Sequence, residues 1–518
     1  MRLAELIEGL EVKALHGAAP EVEITGLTHD SRRAGPGVLF AALRGSAADG
    51  HDFAAAAVEA GSPALLVERP LPELGGVCQV EVADSRRALA MMASRFFGQP
   101  SRQMTCIGIT GTNGKTTVSY LLESVFSRRG PVGVLGTVEY RYGEHRRPAP
   151  LTTPDAVWLQ SLLAEMRAAG VKQAVMEISS HALEQHRADG VLLDAAVFTN
   201  LSRDHLDYHG DMESYFQAKL GLFQRLLPDS RRAGKPALAV AWSEDSWGSR
   251  VLARARELGL SAWSFGFDHQ ATVQGGEIKL TLAGSSLKVA WPGGRRRVRT
   301  SLVGRYNLLN LLAAAAVGLG LGMEPDEVFA GLAALKGVPG RLERVEGPRR
   351  HPAVFVDYAH TDDALRNVLA ALKPLTPGRL ICVFGAGGDR DPGKRPLMGR
   401  AVARGADLAV LTSDNPRSED PLAIMAMIEP GLQEEGWRRV ESLAGRLEGA
   451  YLAVADRAEA IAVAVESAGR DDVVLIAGKG HEDYQIIGSQ RRPFDDRRQA
   501  AAALAAGGGR RGGRRAQA

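Results

Sequence analysis

The amino-acid sequence predicts an α/β protein divided into three domains, each with its own sheet. Three observations carry that reading. The chain has 518 residues, more than one hydrophobic core usually supports. From about residue 104 it repeats a short apolar strand, a loop carrying Gly or polar residues and a helical pattern, and the alternation restarts near residue 350. Between the two series stands a strong breaker, Gly337-Val338-Pro339-Gly340.

In chain order, the first domain (1–101) holds short strand-like pieces with turn signals at Gly35-Pro36-Gly37 and Asp49-Gly50, and reads as a small α/β domain. The central domain (102–337) has strands at Met104–Thr110, Gln173–Met176 and Ala195–Thr199, each followed at once by polar residues. A parallel sheet gathers such residues at its carboxyl edge. The apolar run Asn307–Leu321 predicts a packed helix. The third domain (338–506) has strands at Ala353–Val356, Leu380–Phe384, Leu408–Leu411 and Val473–Ala477, the pattern of a doubly wound, Rossmann-like sheet. Residues 507–518 are mostly Gly and Arg, which cannot bury a core, and predict a disordered tail.

Composition narrows the function classes. An apolar share of 45% and a charged share of 24% describe a globular chain and exclude fibrous and largely disordered ones. The net charge of +3 sits partly in the Arg-rich tail, so no nucleic-acid partner is expected. Cys78, Cys106 and Cys382 lie far apart without metal-ligand spacing and read as buried thiols of a reducing compartment. The longest apolar run, Leu311–Met323, is too short for a bilayer, and Met1-Arg2-Leu3-Ala4-Glu5 lacks a secretory stretch. A cytoplasmic monomer without a membrane partner is the expectation.

The segment Gly108-Ile109-Thr110-Gly111-Thr112-Asn113-Gly114-Lys115-Thr116-Thr117 follows a strand and precedes a helix with Val118, Leu121, Leu122, Val125 and Phe126 on one face. Glycines let backbone N–H groups turn toward phosphate oxygens, Lys115 neutralises them, and Thr116 offers a hydroxyl to Mg²⁺. The strict Gly-x-x-x-x-Gly-Lys-Ser/Thr pattern is broken at its first glycine, where Ile109 stands, so this is a variant ATP-binding loop. By itself the loop fits any nucleotide hydrolase.

The string Thr110 to Thr117 resembles the Mur ligases and folylpolyglutamate synthetases. Later segments resemble the Mur ligases that add a diamino acid: Leu151-Thr152-Thr153-Pro154, Glu177-Ile178-Ser179-Ser180-His181, Thr199-Asn200-Leu201-Ser202-Arg203-Asp204-His205-Leu206-Asp207 and Asp414-Asn415-Pro416-Arg417. The resemblance covers nearly the whole chain except its tail. It implies three domains, for a UDP-linked substrate, ATP and an amino acid. It also implies a reaction in which ATP phosphorylates a carboxylate of a UDP-muramoyl dipeptide and the amine of meso-diaminopimelate displaces the phosphate.

The same resemblance distributes roles. Gly111, Thr112, Asn113, Gly114, Lys115, Thr116 and Thr117 bind ATP, joined by Asn307 and Asn310 on the adenine side and by Arg341 and Asp357 of the third domain. Lys115, Glu177, His205 and Lys219 form the catalytic set. Thr116, Glu177, His205 and Lys219 as a carbamate hold Mg²⁺. Ser31, Thr152, Thr153, Ser180 and Arg187 meet the UDP-linked substrate; Arg390, Asp414, Asn415, Arg417, Gly478 and Glu482 meet the amino acid. From the residues alone Glu177 and His205 also read as a strand-end carboxylate and a loop histidine, Lys219 as a solvated helix lysine, and Arg341 as half of a linker salt bridge. Trp242 and Asp362 depart from the family pattern.

Overall fold

A computed structural model describes residues 1–17, 21–45, 48–347, 351–445 and 447–512. The chain forms two compact units. The first comprises Met1–Thr272 with Ala313–Gly331, the second Val273–Leu312 with the chain from Leu332 onward.

Two sheets build the first unit. The N-terminal one runs Val12–His16, Cys78–Val82, Ala64–Val67, Val38–Ala41, Gly26–Thr28 in spatial order, antiparallel only at its first pair. The helix Ser85–Phe96, capped by Asp84 accepting from Arg87 N–H, packs Leu89 and Met92 against Leu39, Leu66 and Val80. In the central sheet Ala262–Gly266, Leu238–Trp242, Ala195–Phe198, Thr105–Thr110, Gln173–Glu177 and Val132–Leu135 are all parallel, followed by an antiparallel pair, Glu139–Tyr142 and His145–Pro148. Parallel strands buried on both faces read as unbroken apolar runs, and these do. The helix Lys115–Phe126 buries all five expected residues, Val118, Leu121, Leu122, Val125 and Phe126. Each such side chain contributes about 1.5–3 kcal/mol.

The second unit opens with the antiparallel meander Val273–Thr281, Gly284–Trp291, Gly294–Thr300. Its main sheet runs Glu343–Val345, Ala353–Asp357, Val473–Ala477, Leu380–Phe384, Leu408–Leu411, Ala450–Ala453, Arg438–Arg439, parallel except at its first pair. Strand order departs from chain order at Val473–Ala477, which lies between the two earlier strands, and polar loops gather at the carboxyl ends there. One buried ion pair supports that edge. Arg457 donates twice to Asp496 (2.8 and 2.6 Å), and also to the carbonyls of Ser413 (3.3 Å) and Ala477 (3.0 Å), with both charged side chains 0% exposed. Removing one member of such a pair typically costs about 3–5 kcal/mol.

The predicted run 307–321 is the helix Arg305–Gly320. Asp362 opens the helix Asp362–Leu372 behind the capping Thr361, where an acid suits the helix N-terminus. All three cysteines are buried free thiols. Among the described residues no helix is long and apolar enough to cross a membrane. The last helix spans Asp496–Gly512, so residues 507–512 of the expected tail have helical backbone, and 513–518 lie outside the described residues.

Candidate active site

The phosphate loop is tied to the neighbouring strand ends by backbone. Gly111 has φ +143, and a Cβ there would stand 1.9 Å from Thr199 Oγ1, so only glycine fits. Thr112 N–H donates to the Asn200 carbonyl (2.9 Å), Asn113 N–H to Asn200 Oδ1 (3.0 Å), and Thr199 Oγ–H to the Asn113 carbonyl (2.6 Å). Gly114 leads directly into the helix that begins at Lys115, with Thr116 and Thr117 buried in its first turn.

Two amines meet on one carbonyl. Lys115 Nζ donates to Gly111 O at 2.8 Å and to Thr112 O at 3.0 Å, and Lys219 Nζ donates to the same Gly111 O at 3.0 Å. Lys219 is 1% exposed, with its amine 4.4 Å from the centre of the Tyr215 ring. The solvated lysine suggested by the residues alone is therefore corrected. The helix Met212–Gly221, continued by a π-helical turn at Leu222–Leu226, turns this face inward beneath the loop. Burial, and next the charge of Lys115, push the Lys219 amine well below its ordinary range.

Glu177, at the end of its strand, connects the loop to the residues assigned to the UDP-linked substrate. Its Oε2 accepts from Thr116 Oγ–H (3.2 Å) and Thr137 Oγ–H (2.8 Å), and its Oε1 from Thr137 N–H (3.2 Å). Since Thr137 spends its proton on the carboxylate, Thr152 is the donor in the Thr137–Thr152 contact of 3.1 Å. Thr153 Oγ–H donates to the Glu177 carbonyl (2.9 Å), and Arg187 donates to the Thr153 carbonyl (3.3 Å). Ser180 contacts His209 Nε2 at 2.9 Å, and burial pushes the His209 imidazole down to about 4.

Among the described residues no hydrogen bond joins His205 to Glu177. His205 sits in left-handed backbone (φ 53) on an exposed loop, its ring 5.1 Å from that of His181 and 6.0 Å from that of Tyr215. Tyr215 thus lies beside both His205 and Lys219. Among the described residues no three His, Cys, Asp or Glu side chains gather as a metal cage. Ser31 opens the short turn Ser31–Arg33 of the N-terminal sheet, and no side-chain hydrogen bond among the described residues joins it to Thr152, Thr153, Ser180 or Arg187. His51 is buried and hydrogen-bonded within the N-terminal segment. Its Nε2 accepts from Glu68 N–H (3.0 Å), which puts the proton on Nδ1, facing Asp49 at 2.6 Å.

The remaining assigned residues belong to the second unit. Asn310 Nδ2 donates to Asn307 Oδ1 (3.1 Å) on one helix face, and Asn307 Nδ2 to the Val303 carbonyl (2.8 Å). The Arg341 guanidinium lies 4.8 Å over the Tyr358 ring. Asp357 accepts from the N–H groups of Leu342 (2.6 Å) and Ala359 (2.9 Å), and burial raises its carboxyl above the usual range.

At the carboxyl edge Asp414, Asn415, Arg417, Gly478 and Glu482 come together. Arg417 has φ +52 and donates to the Gly388 carbonyl at 2.6 Å. Gly478 has φ +118, and a Cβ there would stand 3.1 Å from Asp414 Oδ2. Asn415 Nδ2 donates to Glu482 Oε2 at 2.9 Å. Arg390 is exposed and donates to the Asp389 carbonyl (3.2 Å). The sequence reading gave no individual role to Thr137, Asn200, Tyr215 or Lys479. For Lys479 the available signal was a lysine between two glycines directly after an apolar strand, Gly478-Lys479-Gly480.

Comparison with known proteins agrees along the chain. Residues 23–97 match the Mur ligase family catalytic domain, 109–318 the Mur ligase middle domain, and 340–480 the Mur ligase glutamate ligase domain. The UDP-N-acetylmuramoyl-L-alanyl-D-glutamate--2,6-diaminopimelate ligase of Geobacter sulfurreducens is 45% identical over 503 residues, 96% of this chain and 97% of the relative. Its counterpart in Geobacillus kaustophilus is 43% identical over 487 residues, 93% of this chain and 94% of the relative. A solved structure of a ligase with that description has a TM-score of 0.70 at 33% identity, covering 98% of this chain and 99% of the other. Mycobacterium tuberculosis folylpolyglutamate synthase, solved with ADP and AMPPCP, shares the fold at 21% identity, with a TM-score of 0.58 over 80% of this chain and 92% of that one. The chain belongs to the Mur ligase family.

Proposed function

We propose that the chain is an ATP-dependent ligase adding meso-2,6-diaminopimelate to UDP-N-acetylmuramoyl-L-alanyl-D-glutamate through an acyl phosphate, a step of peptidoglycan precursor synthesis and so of cell shape and division. The observation that carries this reading is the pair of lysines on the Gly111 carbonyl beside the Thr116–Glu177 contact. Such a cradle sets the Lys115 amine beside hard oxygens, as a transferring phosphoryl group requires. The names of the relatives support the choice of substrates.

In the reaction, a D-glutamyl carboxylate oxygen bonds to the γ-phosphorus as the bond to ADP breaks. The amine of diaminopimelate then adds to the acyl carbon, and phosphate leaves from the tetrahedral intermediate. Residues Gly111 to Thr117 cradle the phosphates and Lys115 offsets their charge. Thr116, Glu177, His205 and a carbamylated Lys219 would hold Mg²⁺, which supplies charge neutralisation at the γ-phosphate. A neutral Lys219 amine adds to CO₂ and releases a proton, so a buried base becomes an anionic oxygen ligand. Asn307 and Asn310 serve the adenine side, Arg341 and Asp357 the nucleotide. Ser31, Thr152, Thr153, Ser180 and Arg187 bind the UDP-linked substrate; Arg390, Asp414, Asn415, Arg417, Gly478 and Glu482 bind diaminopimelate. Segments 1–101, 102–337 and 338–506 serve as the UDP-substrate, ATP and amino-acid domains of a cytoplasmic monomer.

The test is phosphate release from ATP. It should require the UDP-muramoyl dipeptide and the diamino acid together, with a tripeptide product of matching mass. Release independent of any amino acid would show a nucleotide hydrolase instead.

A further inference from the structure

The amino-acid site contains a charged side chain to which the reading above gives no role. Lys479 is 0% exposed; its ammonium donates to Asn415 Oδ1 (3.1 Å) and Glu482 Oε2 (3.2 Å) and lies 3.7 Å from Asp414 Oδ1. An asparagine amide can face either way, but here the donors decide. Asn415 Oδ1 accepts from both Lys479 and Ile486 N–H (3.0 Å), so its NH₂ faces Glu482 and donates to Oε2 at 2.9 Å.

Glu482 Oε2 therefore holds two donors while Oε1 holds none among the described residues. Asp414 Oδ1 is buried and has no hydrogen bond among the described residues. Lys479 thus faces both acidic side chains of this edge at once.

We propose that Lys479 is a positioning residue that sets the hydrogen-bond polarity of the amino-acid site. It commits the Asn415 amide and one Glu482 oxygen to each other, leaving Glu482 Oε1 to accept from the ammonium at the far end of the diamino acid. This deepens the proposed function and rests on its assignment of the carboxyl edge to the amino acid. Without Lys479 only the Ile486 N–H still holds the Asn415 carbonyl, so turning it toward Glu482, where the two acceptors repel, costs one hydrogen bond instead of two.

The experiment is steady-state kinetics of the full-length Lys479→Met enzyme with ATP, UDP-muramoyl dipeptide and meso-diaminopimelate. The KM for diaminopimelate should rise about tenfold or more, while kcat and the other two KM values stay within about twofold. A uniform fall in every parameter, or an unchanged diaminopimelate KM, overturns the proposal. Asn415→Asp keeps the acceptor toward Lys479 but sets an oxygen against Glu482. It should raise the same KM, and its failure to do so overturns the proposal even where Lys479→Met does not fold. In Lys479→Met/Glu482→Gln the loss should not exceed that of the weaker-binding single variant, because both act through one oxygen; additive losses count against it. If the wild-type enzyme consumes no diaminopimelate, the functional reading falls and this inference with it. A wild type that consumes it while both single variants match it removes this inference alone.

Discussion

Lys219 and Lys479 are both fully buried lysines, and their surroundings are opposite. Lys479 lies among Glu482, Asp414 and Asn415, so its ammonium is matched by carboxylates and acts as a fixed strut. Lys219 shares one backbone carbonyl with a second lysine, and among the described residues no carboxylate forms an ion pair with it. Burial with a cation for a neighbour favours the neutral amine, which is the nucleophilic form. One buried lysine is paired with acidic side chains and the other faces a second lysine. Burial alone therefore says little about a lysine's role until its partners are counted.

The largest expected effect comes from removing the Lys115 amine at Gly111. Lys115→Ala should abolish ATP turnover with an unchanged melting temperature, a loss on the order of several kcal/mol of transition-state stabilisation. Turnover near wild type would break the ATP-site assignment. Next, Lys219→Ala should be nearly inactive and partly rescued by acetate, since the working part of a carbamate is its oxygens. Rescue failing, together with indifference to bicarbonate depletion, would return Lys219 to a simple phosphate contact.

A smaller loss is expected on the other side of the comparison. Arg417→Ala and Arg417→Lys should each raise the KM for meso-diaminopimelate far more than that for ATP. A lost charge-assisted pair costs ~1.5–3 kcal/mol, tenfold or more in affinity. Equal shifts in both KM values would remove Arg417 from the amino-acid site.

The smallest effect is one of stability. A lysine whose folded-state pKa is depressed binds fewer protons folded than unfolded, so it destabilises the fold at neutral pH and the penalty fades as pH rises toward its ordinary value, 10.5. Lys219→Met in CO₂-free buffer should therefore melt above wild type at pH 7, with the margin shrinking toward pH 10. A lower melting temperature would mean that the amine is stabilised by its surroundings.

Legibility in the sequence followed the physics of each region. Leu380–Phe384, Leu408–Leu411 and Val473–Ala477 were read to the residue, because a parallel strand buried on both faces leaves an apolar run bounded by polar loops. The loop around Lys115 was legible because its backbone demands glycines at set places. The burial of Lys219 was not, because Gly111, whose carbonyl it meets, lies far away in the chain, and its own helix carries little apolar periodicity. Thr137 stayed hidden for the same reason: its hydrogen bonds run to Glu177, and pairing at such a separation leaves no local pattern. His205 was legible as a residue type, yet its exposed place on a left-handed turn was not.

The most direct test of the account is a comparison of kcat/KM for meso-diaminopimelate and L-lysine in tripeptide formation with the UDP-muramoyl dipeptide and ATP. Lysine lacks the distal carboxylate for Arg417, so diaminopimelate should be favoured by at least about tenfold, the equivalent of one charge-assisted pair. Equal efficiency with the two amino acids would contradict the specificity assigned to the C-terminal site.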